Sequence, residues 1–469
     1  MKAKENIFNK RRVLFTAVIG ILAELVNKIA PLILVRFGIE RLGIEGYGFT
    51  QYGFYLVEIM IPAILFGYAY QNMIEAKEAS GTDDPSKLRR LVGQSIFLKA
   101  IHFGFVAIGV GAYWSINDLD GLLGVMILVA LFFNVIELSF ILYSKQKLHL
   151  MSYATIVAKL VNLGVVIWFV QDPSDQYIFL GAALGANAFV SLITFLVGVK
   201  LYPPIWPARS AILPSFKGAL PYGVFIGISS LCERLDLLVV KDVLGLTEMG
   251  IYTGVYKLYQ SLYPVVLLIP NIFFAESLAV KDRESEIDLV KITIRVMMVA
   301  LLPIAVGSWL VSDDIVSLVI GPGFEKGLYA LNILISSTLF LGIVTILIQQ
   351  IFIKKDQIVR TAIIFVLFLP CLWWGYPVVA ERWGLTGVAV AVLSFKAFQC
   401  LLFVSLVGWR AGALWKEFLF GIGPTAMMAG VLFGFCRDLH FLLQILIGAV
   451  IYGTGMMIFH RSFVRKLWS

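Results

Sequence analysis

Charge is scarce in this sequence. Asp, Glu, Lys and Arg make up 14% of its 469 residues, hydrophobic residues 59%, and the mean hydropathy is +0.89. A soluble domain carries about a quarter charged residues, so a soluble fold is excluded. Cysteine is scarce too. Cys232, Cys371, Cys400 and Cys436 each sit inside an apolar run, and no two stand at ligand spacing. That argues against a disulfide framework or a zinc site and reads as buried small hydrophobes. Four scattered histidines, His102, His149, His440 and His460, give no basis for a metal centre. No metal and no cofactor is expected.

What remains is apolar helix. The basic start, MKAKENIFNKRR, precedes an apolar run over 13–37 that is too long for a signal-peptide core and lacks a small-residue cleavage site. It is expected to stay as the first membrane span. Spans of about 20 apolar residues fall near 13–37, 47–72, 91–114, 121–143, 152–171, 177–200 and 218–240. They continue near 250–275, 291–312, 328–353, 359–380, 384–408, 415–436 and 439–460. The expected fold is therefore an all-α polytopic membrane protein of about fourteen transmembrane helices. The connections are short, which leaves no room for an extramembrane domain.

Loop cations set the orientation. Counted in alternate connections, Lys and Arg gather on one side, from Lys2, Lys4, Lys10, Arg11 and Arg12 through Lys77, Lys87, Arg89 and Arg90 to Lys354, Lys355, Arg360, Arg410, Arg461, Arg465 and Lys466. The other side holds only Arg36, Arg41, Lys241, Lys326, Arg382 and Arg437. Both termini are expected in the cytoplasm. The net charge of +8 is a positive-inside signature, and no nucleic-acid partner is expected.

A repeat runs through the chain. Gly46, Tyr52 and Tyr55 open the second span, and Gly250, Tyr256 and Tyr259 open the eighth with the same spacing. Gly181 and Gly185 open the sixth, as Gly384 and Gly387 open the twelfth. Six spans separate each pair, so the halves share one orientation and are related by an axis along the membrane normal. The expected organisation is a six-helix lobe over 1–200, a linker over 201–217 and a second six-helix lobe over 218–408. Two additional helices and a basic tail occupy 409–469.

The stretch from Pro221 to Pro264 carries the most polar stripes. Ser229, Glu233 and Asp236 share one helix face, with Arg234 beside them. Tyr252, Tyr256, Tyr259 and Tyr263 share another, with Lys257 beside them. Charge at membrane depth costs roughly 2.5–3.5 kcal/mol per residue, so these residues are expected to line a central cavity rather than face lipid. Intramembrane cations (Lys28, Lys99, Lys159, Arg234, Lys257, Arg295, Lys396) outnumber acids (Glu24, Glu58, Glu137, Glu233, Asp236). Polar companions stand on the same faces: Ser95 and His102 with Lys99, Thr155 and Asn162 with Lys159, Gln51 and Tyr55 with Glu58, Gln399 with Lys396. Such a cavity suits an anionic, hydroxyl-rich substrate: cations for phosphate oxygens, tyrosines for sugar rings. Structural readings stand beside these. Glu24 with Lys28 is also a self-neutralising i, i+4 pair, Glu233, Arg234 and Asp236 can satisfy one another, and the tyrosine stripe can be interhelical packing. Lys257 and Arg295 can snorkel, and Glu137 reads as structural.

The block Pro221-Tyr222-Gly223, Asp236, Leu244-Gly245, Gly250-Ile251-Tyr252 and Tyr256-Lys257-Leu258 resembles a known group. So do Gly46-Tyr47-Gly48, the Gly321-Pro-Gly-Phe324 turn and Gly384-Leu-Thr-Gly387. The sequence is similar to the polysaccharide-transporter branch of the multidrug/oligosaccharidyl-lipid/polysaccharide flippase superfamily, above all the O-antigen repeat-unit flippases. The resemblance implies two six-helix lobes around a central cationic cavity working by alternating access in the bacterial inner membrane. Its implied substrate is an undecaprenyl-diphosphate-linked oligosaccharide. Lys28, Arg234, Lys257 and Lys396 would engage the diphosphate or acidic sugars, with Lys99, Lys159, Tyr252, Tyr256 and Tyr259 as further substrate-binding candidates. Glu24, Glu58 and Asp236, with Glu233, would couple a proton or sodium ion. Membrane lipids and glycan polymerase machinery are the expected partners. A multidrug exporter or a lipid II flippase of the same superfamily are alternatives. A membrane glycan polymerase or ligase fits poorly, because the outward loops near 115–120, 172–176 and 241–249 are short.

Overall fold

The computed structural model describes residues 2–80, 85–117, 120–145, 147–280, 282–353, 357–407, 416–437 and 439–461. Among them there is no strand; every regular element is helical. Of the cations used for orientation, Lys281, Lys354, Lys355, Arg410, Arg465 and Lys466, and the side chains of Lys2 to Arg12 and Lys77, lie outside the described residues.

In order, the helices are α1 (Lys2–Leu65), α2 (Tyr68–Ser80), α3 (Pro85–Asn117), α4 (Gly121–Val135), α5 (Ser139–Ser144), α6 (Leu148–Phe169), α7 (Gln176–Leu201) and α8 (Arg209–Val239). There follow α9 (Leu246–Gln260), α10 (Tyr263–Ala279), α11 (Arg283–Val319), α12 (Leu328–Leu347), α13 (Ile358–Leu406), α14 (Ile422–Phe435) and α15 (Phe441–Phe459). Ten helices among the described residues are long and apolar enough to cross a membrane, or eleven if a pair bent by 48° at residues 65–68 is one span. These helices do not match the expected fourteen spans one for one. α1 and α13 each run through two expected spans and turn at a glycine: Gly43 with φ 73° and Gly384 with φ 58°. Both angles lie where a Cβ is strained. The expected fourth span is interrupted over 136–138, between α4 and α5, and the eighth is divided between α9 and α10. α8, which carries Glu233, Arg234 and Asp236 near its end, is not among the ten.

The described residues cluster into two compact units. The first comprises Met1–Lys241, Gly245–Gly250 and Ile358–Cys371; the second comprises Asp242–Leu244, Ile251–Gln357 and Leu372–Ser469. In the first, α1 packs against α6, α4, α7 and α8. Two glycines of the resemblance motifs, Gly48 and Gly250, meet here. A Cβ on Gly48 would strike the Leu246 carbonyl and come within 2.9 Å of the Gly250 nitrogen, and a Cβ on Gly250 would strike the Ile44 carbonyl. Backbone meets backbone, so neither position has room for a side chain.

In the second unit, α11 and α12 form the principal pair, and the α14–α15 hairpin packs on α11. Polar pins hold it there. Arg295 pairs with Glu417 at 2.7 Å, its guanidinium lies 4.5 Å from the Phe420 ring centre, and Tyr452 donates to the Val299 carbonyl at 2.8 Å. Arg295, expected near a helix end with snorkelling as one reading, thus has a partner 122 residues away.

Candidate functional site

Charge inside an apolar fold is stable only when it is paired or hydrogen-bonded. The first unit gathers such charge in a cluster drawn from α1, α6 and α8, most of it paired. On α1, Glu24 and Lys28 stand 3.8 Å apart as an i, i+4 pair, 52% and 29% exposed. Further along α1, Glu58 accepts from Arg234 of α8 at 3.0 Å, and Arg234 also donates to Ser230 at 2.8 Å. Both members of the Glu58–Arg234 pair are just over a quarter exposed. Lys159 on α6 is half-buried and lies within electrostatic reach of both Glu58 and Lys28. Tyr55 and Asp236, 1% and 2% exposed, lie close enough to interact electrostatically, and Tyr55 likewise senses Glu58 and Arg234. Glu233 stands on the same helix, half-buried.

Six of the expected site residues, Glu24, Lys28, Glu58, Lys159, Arg234 and Asp236, are thus linked in one unit. Three cations and two partly exposed carboxylates in reach of one another can bind an anion by exchange of partners. Asn162, one turn from Lys159, is buried with its side-chain oxygen unpartnered among the described residues. It supplies a further polar group on that face.

Lys99 stands apart. Its side chain is 3% exposed, and its ammonium donates to the Glu137 carbonyl and lies 3.8 Å from the Glu137 carboxylate. Glu137 sits in the interruption between α4 and α5. The backbone groups freed there are taken up locally: Ser139 N–H donates to the Glu137 carboxylate at 2.7 Å, and Leu138 N–H to Thr194 at 3.2 Å. Lys99 thus supplies what an unbroken helix would supply to the Glu137 carbonyl.

In the second unit, Tyr252, Tyr256, Tyr259 and Tyr263 form a ladder of rings with centroids 5.8, 5.3 and 5.3 Å apart. Tyr252, Tyr256 and Tyr259 are all but fully buried, and the Tyr259 hydroxyl accepts from Tyr263 at 3.3 Å and Ser337 at 3.5 Å. Their faces meet one another rather than an open cavity. Lys257 is half-buried beside them. Lys396 is 2% exposed with its ammonium 5.2 Å from the Phe395 ring centre. One turn on, Gln399 is fully buried, and neither end of its amide has a partner among the described residues.

Sequence reasoning missed three features. Ser230 was legible, since it stands four residues before Arg234. The buried Thr293–Gln350 pair at 3.1 Å joins residues 57 apart and left no local signal. The third is an apolar cavity of about 510 Å³ in the second unit, lined by Leu262, Pro303, Val311, Leu331, Met428 and Tyr452 among others. It draws on five helices and is invisible to any periodicity.

No protein-family model matches the sequence, and no curated protein matches it. Solved structures do. The chain is similar to the lipid II flippase MurJ in an inward closed conformation, with 14% identity and a TM-score of 0.71 over 96% of this chain and 100% of that one. It is also similar to an inward-facing MATE family multidrug-resistance transporter of the MOP superfamily, with 14% identity and a TM-score of 0.58 over 85% and 99%. A third likeness, to a MOP superfamily transporter from Pyrococcus furiosus, has 14% identity and a TM-score of 0.50 over 86% and 96%. At this identity the likenesses show the fold alone, one shared with these solved transporters.

Proposed function

We propose that this protein is a flippase for a polyprenyl-diphosphate-linked oligosaccharide, a surface-polysaccharide repeat unit such as O-antigen carried on undecaprenyl diphosphate. It moves the substrate from the cytoplasmic to the outer leaflet of a bacterial inner membrane by alternating access. The observation that carries this reading is the α1–α6–α8 cluster. Lys28, Lys159 and Arg234 gather there with Glu24, Glu58 and Asp236, and charge-assisted bonds from such cations are the means of holding phosphate oxygens. The apolar cavity in the second unit adds a surface of the kind a hydrocarbon chain requires. Both termini are assigned to the cytoplasm from the loop cations. A proton or sodium ion, exchanged at Glu24, Glu58 or Asp236 with Glu233 nearby, drives the cycle. Membrane lipids surround the protein, and the glycan polymerase machinery receives its product. Lys257 and Lys396 serve as secondary contacts, and no step is enzymatic.

A second reading keeps the mechanism and changes the cargo to lipid II, favoured by the likeness to the lipid II flippase across nearly the whole chain. An acid-dominated cavity would have favoured organic cations and a multidrug exporter. Proteoliposomes carrying the purified protein test both. Translocation of a fluorescent polyprenyl-diphosphate oligosaccharide is expected, and it should fall at least tenfold in Lys159→Gln and Arg234→Gln. Export of a cationic dye with no movement of either lipid-linked glycan would overturn the proposal.

A further inference from the structure

Within the first unit, α8 runs along α1 and α2 in a close seam. Its tightest point is glycine against glycine: a Cβ on Gly67 would come within 2.7 Å of the Tyr222 Cβ, and one on Gly223 within 2.8 Å of the Phe66 carbonyl. Parallel rings flank it, Phe66 on Phe216 at 5.4 Å and Tyr70 on Tyr222 at 6.2 Å. At this level the seam is van der Waals contact. Two to three turns away the same helices are tied by the Glu58–Arg234 ion pair.

That pair has an unusual neighbour. Lys159 stands within electrostatic reach of Glu58, yet among the described residues it makes no ion pair or hydrogen bond. Glu58 therefore has a second cation available if Arg234 is taken from it. Arg234 Nη2 donates to Glu58 at 3.0 Å while Nη1 donates to Ser230 at 2.8 Å. A phosphoryl group offers several oxygens and more charge to the same guanidinium fork.

We propose that Glu58 is a built-in stand-in for the substrate's anion. An incoming diphosphate displaces the Glu58 carboxylate from Arg234, Glu58 turns to Lys159, and the tie across the α1–α8 seam is broken. Loading thereby loosens the seam, leaving Gly67, Gly223 and the stacked rings as a sliding contact. Asp236 and Tyr55, near Glu58 and Arg234, and Lys28, near Lys159 and paired with Glu24, also face the exchange, with Glu233 on the same helix as Arg234. This rests on the reading of the cluster as a diphosphate site.

Farnesyl diphosphate is the probe, titrated calorimetrically into the full-length protein in nanodiscs. Glu58→Gln removes the competing charge, and the displaced-carboxylate account predicts about tenfold tighter binding than wild type. Glu58→Asp, which keeps that charge, should bind as wild type does. In a chain whose native cysteines are replaced by alanine, Tyr70→Cys with Tyr222→Cys reports the seam. Short bis-maleimide cross-linking should slow on adding the probe, and should be slow without probe when Glu58→Gln is also present. If Arg234→Gln loses binding but Glu58→Gln binds no tighter than wild type, the exchange is overturned and the diphosphate site stands. If wild type, Lys159→Gln and Arg234→Gln all bind equally or not at all, the site falls and the exchange with it.

Discussion

Replacing Lys99 with methionine should destabilise the protein rather than unload its substrate site. The side chain is 3% exposed, and its ammonium faces both the carbonyl and the carboxylate of Glu137, which is 18% exposed. Breaking a buried pair by removing one partner costs about 3–5 kcal/mol. Water reaches Glu137 in part, and Ser139 N–H still donates to its carboxylate, so the lower end, about 3 kcal/mol, is expected for Lys99→Met. Glu137→Gln leaves the less exposed member, the lysine cation, without its counter-charge and should cost at least as much. The double variant should recover about 1–3 kcal/mol of the summed loss, the coupling expected of groups in contact. SDS-driven unfolding in mixed micelles, followed by tryptophan fluorescence, gives the four corners of the cycle. A Lys99→Met protein of wild-type stability that no longer transports would refute the argument and return Lys99 to the substrate.

Gly48→Ala should cost more than about 3 kcal/mol, beyond ordinary overpacking, because its Cβ meets the Leu246 carbonyl; Gly104→Ala, which meets nothing within 4 Å, should be tolerated. Recovery of monodisperse protein after heating separates the two. Asp120 caps α4 by accepting from Leu122 and Leu123 N–H at 2.8 and 3.2 Å and also accepts from the Tyr177 hydroxyl. The Tyr177 bond, ahead of the two backbone bonds, holds its carboxyl below the usual range. A depressed carboxyl stabilises the fold above its unfolded pKa of about 3.9 and loses that contribution as pH falls through the folded value. Asp120→Ala should therefore cost about 1 kcal/mol at pH 7, and the difference from wild type should shrink below pH 4 in thermal unfolding curves.

Local spacing made part of this molecule legible. Hydropathy runs located the helices, and i, i+4 spacing found the Glu24–Lys28 pair. The stripe on α8 pointed to Arg234 and Asp236. Gly48 and Gly250 stood in the resemblance motifs, but the sequence did not tell that their backbones cross. Pairings across the chain were not legible. Glu58 and Arg234 are 176 residues apart, and either could have snorkelled or paired within its own helix. The interruption at 136–138 leaves no mark in an apolar run, and only the tertiary structure brings the freed carbonyl to the Lys99 ammonium. The tyrosine stripe has the period of a cavity wall and of a packed ladder alike, and only the structure shows its rings packed against one another, with Tyr252, Tyr256 and Tyr259 buried.

The most direct test of the central claim is the sidedness of lipid-linked glycan in cells lacking this gene, read by accessibility of the oligosaccharide to an impermeant lectin on spheroplasts. The account predicts that undecaprenyl-linked repeat units accumulate on the cytoplasmic face and surface polysaccharide is lost. Both should be restored by the wild-type chain and not by Arg234→Gln. Normal surface polysaccharide with no trapped precursor would contradict it.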